Sequence, residues 1–87
     1  MSESLEIRRK RLKFRSGHRG TKELDLLLGR FAEQRLESLE ADQLDRFETL
    51  LDAPSPQVYA WITGQESPPP EMDHDVLQLI RDFSARP

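Results

Sequence analysis

Histidine is the side chain that changes charge nearest neutral pH, and this chain holds two, His18 and His74. They stand 56 positions apart in different helical segments, so nothing in the sequence pairs them. His74 lies between Asp73 and Asp75, an arrangement that could imitate a metal site. No further ligand follows at useful spacing, so the run reads as the acidic start of a helix. Cysteine is absent, which removes thiolate metal sites, disulfides and cysteine nucleophiles. No motif supports a Ser/His/Asp arrangement, and no glycine-rich phosphate loop is present. The chain is expected not to be an enzyme, to hold no metal or cofactor of its own, and to act by binding.

Arg19 and Glu23, four positions apart around Gly20, are the next candidates. One reading pairs them with each other, a surface ion pair contributing about 0–1 kcal/mol. The other turns them outward toward a partner, and spacing leaves both open. The run "RRKRLKFR", Arg8 to Arg15, also has two readings. It is either a patch for nucleic acid or an acidic partner, with Phe14 as apolar contact, or a solvated helix face. Residues 1–23 carry a net +5 and the remainder −8, within a total of −3. The acidic body and the lack of a helix-turn-helix signature weigh against nucleic acid.

These residues need elements to position them. Leu24, Leu27, Leu28 and Phe31 fall at i, i+3, i+4 and i+7, the apolar stripe of an amphipathic helix. Leu44, Phe47, Leu50 and Leu51 form a second stripe, and Val76, Leu77, Ile80 and Phe83 a third. Val58, Trp61 and Ile62 share one side of a short helix that Ser55 can cap, with Pro56 suited to its first turn and Gly64 to its end. Trp61 reads as core more readily than as an exposed anchor. In the first segment Leu5, Arg9 and Leu12 share a side, and Gly17 and Gly20 bracket a break. Three prolines make "QESPPPE" an extended connector, after which Asp73 is the expected cap of the last helix. No segment alternates apolar and polar residues over strand lengths.

The predicted fold is all-α: a compact bundle of about five short helices in one domain over 1–87. Helices are expected at about 5–15, 21–35, 42–51, 56–63 and 73–84, with a turn at 16–23. At this length a chain buries roughly 60–65% of the surface its unfolded form exposes, enough for one modest core. No apolar run of about 18 residues could span a bilayer, and no signal-peptide core is visible.

Beyond these patterns the chain resembles a family. The run "RRKRLKFRSGHRGTKELDLLLGRF" is similar to the small succinate dehydrogenase assembly factors, the flavinylation factors marked by an Arg-Gly-x-x-Glu motif. Here the motif is Arg19-Gly20-Thr21-Lys22-Glu23, followed by Leu24-Asp25 as in family members. The likeness continues through "LESLEADQLDRFETLLD", "VYAWITG" and "LQLIRD", in order along nearly the whole chain. Where the family often caps its third helix with serine, this chain has Glu40.

The resemblance implies a helical bundle that binds the flavoprotein subunit of succinate dehydrogenase, and by extension that of fumarate reductase. It implies an assembly chaperone that promotes covalent attachment of FAD to a histidine of that subunit without being the catalyst. Carried over by position, it makes Arg19 a charge-assisted donor, Glu23 an acceptor on the same surface, and Gly20 the site of close backbone approach. Phe14, Arg15, His18, Lys22 and Asp25 become neighbours on that partner-binding surface, with Arg11 one turn before Arg15. A monomer in a bacterial cytoplasm, more than in a mitochondrial matrix, is the expected form, with no membrane insertion. A nucleic-acid-binding regulator using the basic N-terminal segment is the alternative.

Overall fold

The computed structural model describes residues 3–18 and 20–85. Among them are five α-helices: α1 Leu5–Ser16, α2 Lys22–Arg35, α3 Ala41–Asp52, α4 Ser55–Thr63 and α5 Asp75–Ala85. Single 3₁₀ turns lie at Leu36–Ser38 and Pro70–Met72, and no described residue is in a strand. The all-α bundle expected from the three apolar stripes is the observed class.

Each stripe faces inward. Leu24, Leu28, Phe31 and Ala32 of α2, Leu44, Phe47, Leu50 and Leu51 of α3, and the buried residues of α4 and α5 all enter one core cluster. Trp61 is only 6% exposed and belongs to this core. Phe31 sits at its centre, tilted against Phe47 at a ring separation of 5.8 Å and edge-on to Phe83 at 5.6 Å. Such offset and edge-to-face pairs add to what burial alone contributes. Leu27 and Phe83, given to the same stripes by spacing, are only partly buried and line a groove together.

Helix α1 docks differently. Of its apolar side chains only Leu12 is buried, and Leu5, expected beside it, is 44% exposed. The reason is that three arginines do the docking. Arg8 pairs with Asp45 (2.6 Å) and Glu48 (3.0 Å), Arg11 with Glu48 (3.0 Å), and Arg15 with Asp52 (2.6 Å). Every step of this ladder, 8 to 45, 11 to 48 and 15 to 52, has the same offset of 37. Partner numbers rise together, so α1 and α3 run in the same direction. Arg9 crosses to the far end of α2 and donates to the Leu36 and Leu39 carbonyls at 3.2 and 2.8 Å. Lys13 reaches Glu37 at 3.1 Å. Ser16, the buried polar residue of α1, is satisfied by donating to the Leu12 carbonyl at 2.7 Å.

Four helix starts differ from the sequence expectation, α2 and α3 by a single residue, and the starts of α4 and α5 have identifiable causes. Helix α5 begins at Asp75, and its cap is His74, whose Nδ1 accepts the Leu77 N–H at 3.2 Å. Asp73 instead closes the preceding turn, its N–H donating to the Pro69 and Pro70 carbonyls, and so stands one position before the capping residue. The ring of His74 is therefore neutral with its proton on Nε2, an atom that is buried without a partner among the described residues. Helix α4 starts one residue early, at Ser55, because the Pro54 carbonyl already accepts from Gln57 and Val58. At α3, Glu40 needs no hydroxyl cap, since the Gln43 side chain accepts its N–H at 3.0 Å. Gly64 ends α4 in the left-handed conformation at φ 81°.

Truncating Phe31 to alanine removes a ring that packs on Phe47 of α3 and Phe83 of α5. It should cost about 3–5 kcal/mol, read as a lowered urea midpoint in far-UV circular dichroism.

Burial holds the His74 pKa below its ordinary 6.5, so the unfolded chain takes up a proton there before the folded chain does. Stability should therefore decline as pH falls below about 6.5. His74→Asn keeps a capping side chain and should remove that part of the decline. Glu48 has its pKa lowered by the hydrogen bond from Arg11, so its contribution is present above about 4.5 and lost as acid protonates it. Glu48→Gln should flatten the loss below pH 4.5, speed hydrogen exchange in α1, and cost about 1 kcal/mol at neutral pH.

Candidate functional site

The sequence-derived site falls at the junction of α1 and α2, and its shape follows from two glycines with different duties. Gly17 closes α1 at φ −97°, donating to the carbonyls of Phe14 and Arg15, so it is not the left-handed residue of the break. Its Cα lies 3.7 Å from where a Cβ on Gly29 would stand, so α1 and α2 cross closely at this pair. Gly20 is the left-handed residue, at φ 93°. A Cβ there would meet nothing within 4 Å, so what requires glycine is the backbone conformation and not lack of room. The Gly20 N–H donates to Asp25 Oδ2 at 3.1 Å, and the Asp25 N–H to the Thr21 carbonyl at 2.7 Å. Asp25 thus ties the turn to the first turn of α2.

Arg19 lies outside the described residues. Lys22 and Glu23 are exposed on the opening turn of α2, where the helix dipole favours the acid. Among the described residues Glu23 makes no ion pair. On the other side of the junction, the Phe14 ring lies flat on His18, with centroids 4.0 Å apart and 11° between planes. His18 Nδ1 donates to the Phe14 carbonyl at 2.7 Å, which fixes the ring in that stack. Phe14 is 66% exposed, an aromatic surface held in place and left open to solvent.

The structure groups these residues in two patches. Phe14, Arg15 and His18 line one groove beside Leu51 and Ser55. Gly20, Lys22 and Asp25 line another with Gly17 and Leu26. Arg15 reaches its patch with its guanidinium already bonded to Asp52, and Arg11 is bonded by both Glu3 (2.9 Å) and Glu48. Those hydrogen bonds raise the Arg11 pKa and lower that of Glu3. The basic run is thus largely neutralised within the molecule, and the alternative of a nucleic-acid patch over Arg8 to Arg15 loses its charge. Leu26 is a surface residue that pattern reading missed. It is 57% exposed, and it stands off the stripe formed by Leu24, Leu27, Leu28 and Phe31.

Among the described residues, no three histidine or acidic side chains gather as metal ligands. No described helix is long and apolar enough to cross a membrane.

Comparison with known proteins gives a consistent result. A family model described as the flavinator of succinate dehydrogenase matches residues 10–84. The chain is 41% identical over 85 residues to the FAD assembly factor SdhE of Acetobacter pasteurianus, covering 97% of this chain and 78% of that one. It is 39% identical to the mitochondrial succinate dehydrogenase assembly factor 2 of Meyerozyma guilliermondii, and 36% identical to that of Candida glabrata. These alignments cover 91% and 97% of this chain but 62% and 58% of the yeast proteins, so the chain spans about three fifths of their length. With the motif at an exposed helix junction and the match running from α1 to α5, the chain belongs to the family of succinate dehydrogenase flavinators.

Proposed function

We propose that this chain is an assembly chaperone that docks on the flavoprotein subunit of succinate dehydrogenase and promotes covalent FAD attachment there. The observation that carries the reading is the family match over residues 10–84, which includes the Arg-Gly-x-x-Glu motif. The local geometry supports it: a turn braced by Asp25 leads into exposed Lys22 and Glu23, and the end of the helix before that turn carries an open aromatic pair. The chain works as a binder. It holds the subunit in the arrangement in which flavin and acceptor side chain are close and oriented, and so favours attachment by proximity. Arg19 and Glu23 make charge-assisted contacts, Gly20 sets the turn, and Phe14, Arg15, His18, Lys22 and Asp25 surround them, with Arg11 bracing α1 behind. The protein acts as a monomer in a bacterial cytoplasm, and the related fumarate reductase subunit is a second client.

The test is complementation in cells lacking the wild-type gene, with covalent flavin on the captured subunit read by in-gel fluorescence. Arg19→Ala and Glu23→Ala should lower that signal several-fold while leaving far-UV circular dichroism unchanged. Gly20→Ala should lower it too, and should cost about 1–2 kcal/mol in stability because φ 93° disfavours a side chain. Full flavinylation by all three variants would overturn the site assignment.

A further inference from the structure

Most cationic side chains of this protein are committed internally. Arg8, Arg11 and Arg15 form the ladder, Lys10 pairs with Glu6, and Lys13 pairs with Glu37. Arg46 holds Asp42 and Asp75, while Arg9 and Arg81 donate to backbone carbonyls. Among the described residues, the cations with no internal partner are Lys22, Arg30 and Arg35. All three are exposed, and all three lie on α2.

Two of them frame the exposed apolar residue of that helix. Lys22, Leu26 and Arg30 follow at i, i+4 and i+8, one row with a rise of about 6 Å per step. Leu26 is 57% exposed, whereas Leu24 and Leu28 on the opposite side are buried. The row is continuous with the motif turn: Leu26 lines one groove with Gly20 and Lys22, and a second with Glu23, Arg30 and Phe83 between α2 and α5. Arg35 closes that second groove at its far end. An apolar side chain flanked by two cations with no carboxylate of their own is complementary to an apolar residue flanked by acids.

We propose that the docking surface extends from the motif along α2 through Leu26 to Arg30, and that it takes an acidic element of the flavoprotein subunit. This element seats an apolar side chain on Leu26 and places carboxylates against Lys22 and Arg30. Leu26 supplies buried area on docking, and the cations supply orientation and a salt-dependent association rate. The proposal rests on the assembly reading, and names residues outside the motif that set partner affinity.

The test measures the affinity of the purified protein for the purified flavoprotein subunit by titration calorimetry, at low and at high salt. Leu26→Ser and Arg30→Glu should each weaken binding about tenfold or more, and Arg30→Glu should also reduce the salt dependence. Both should retain the wild-type urea midpoint, because neither side chain is in the core. Lys10→Ala, on the exposed side of α1, is the control and should bind as wild type. If the wild type fails to bind the subunit, the assembly reading itself falls. If it binds and both α2 variants bind equally well, the extended footprint is wrong. Binding of duplex nucleic acid that is lost in the same two variants would assign the row to a different partner and would equally overturn the proposal.

Discussion

The arrangement of this small bundle depends on how a helix with almost no apolar face is held in place. Helix α1 buries one leucine, yet it borders both α2 and α3. Its attachment is an offset-37 ladder of guanidinium–carboxylate pairs, reinforced by Arg9 on the carbonyls that end α2. Isolated surface pairs contribute little, but a shared carboxylate such as Glu48, bonded by both Arg8 and Arg11, forms a network. The ladder also fixes direction. Because α1 runs with α3 and returns into α2 through a short turn, that turn is brought to one end of the bundle.

Charge is thereby divided by location. The N-terminal excess of positive charge, which in the sequence suggests an arm for an acidic partner, is mostly consumed in joining α1 to the acidic α3. What remains available is displaced onto α2, away from the densest basic run. The same displacement separates the two classes of glycine at the junction. Gly17 permits close crossing of helices, while Gly20 supplies a backbone conformation. Only the second is a matter of dihedral preference.

Much of the architecture was legible in the sequence because three helices carry clean apolar stripes, and burial follows period alone. The span of the first helix was legible too, but its mode of docking was not, because Leu5 and Leu12 at i and i+7 look like a stripe when the partners of the intervening arginines are unknown. The ladder has a trace in the sequence. Arg8, Arg11 and Arg15 repeat the spacing of Asp45, Glu48 and Asp52, but among sixteen acids nothing local selects that register. The cap of α5 was misplaced for a related reason. Asp73 is the stronger capping type, but it ends the proline turn and so stands one position before the cap. The motif was visible only through family likeness, since an arginine and a glutamate four apart carry no distinctive physics. Leu26 was overlooked because stripe reading asks what is buried and is blind to an apolar residue left outside.

The reach of Arg9 has a mechanical meaning. Arg9 clamps the C-terminal end of α2, while Gly17, eight residues later at the cap of α1, lies close against the middle of α2 at Gly29. Helix α1 therefore acts as a splint that grips α2 at two points about two turns apart. A load applied to the exposed row of α2 passes into the splint and across the ladder to α3, so the helix resists rotation about its own axis. A partner that docks there meets a face whose angular setting is fixed beforehand, and little of its binding energy is lost to aligning it.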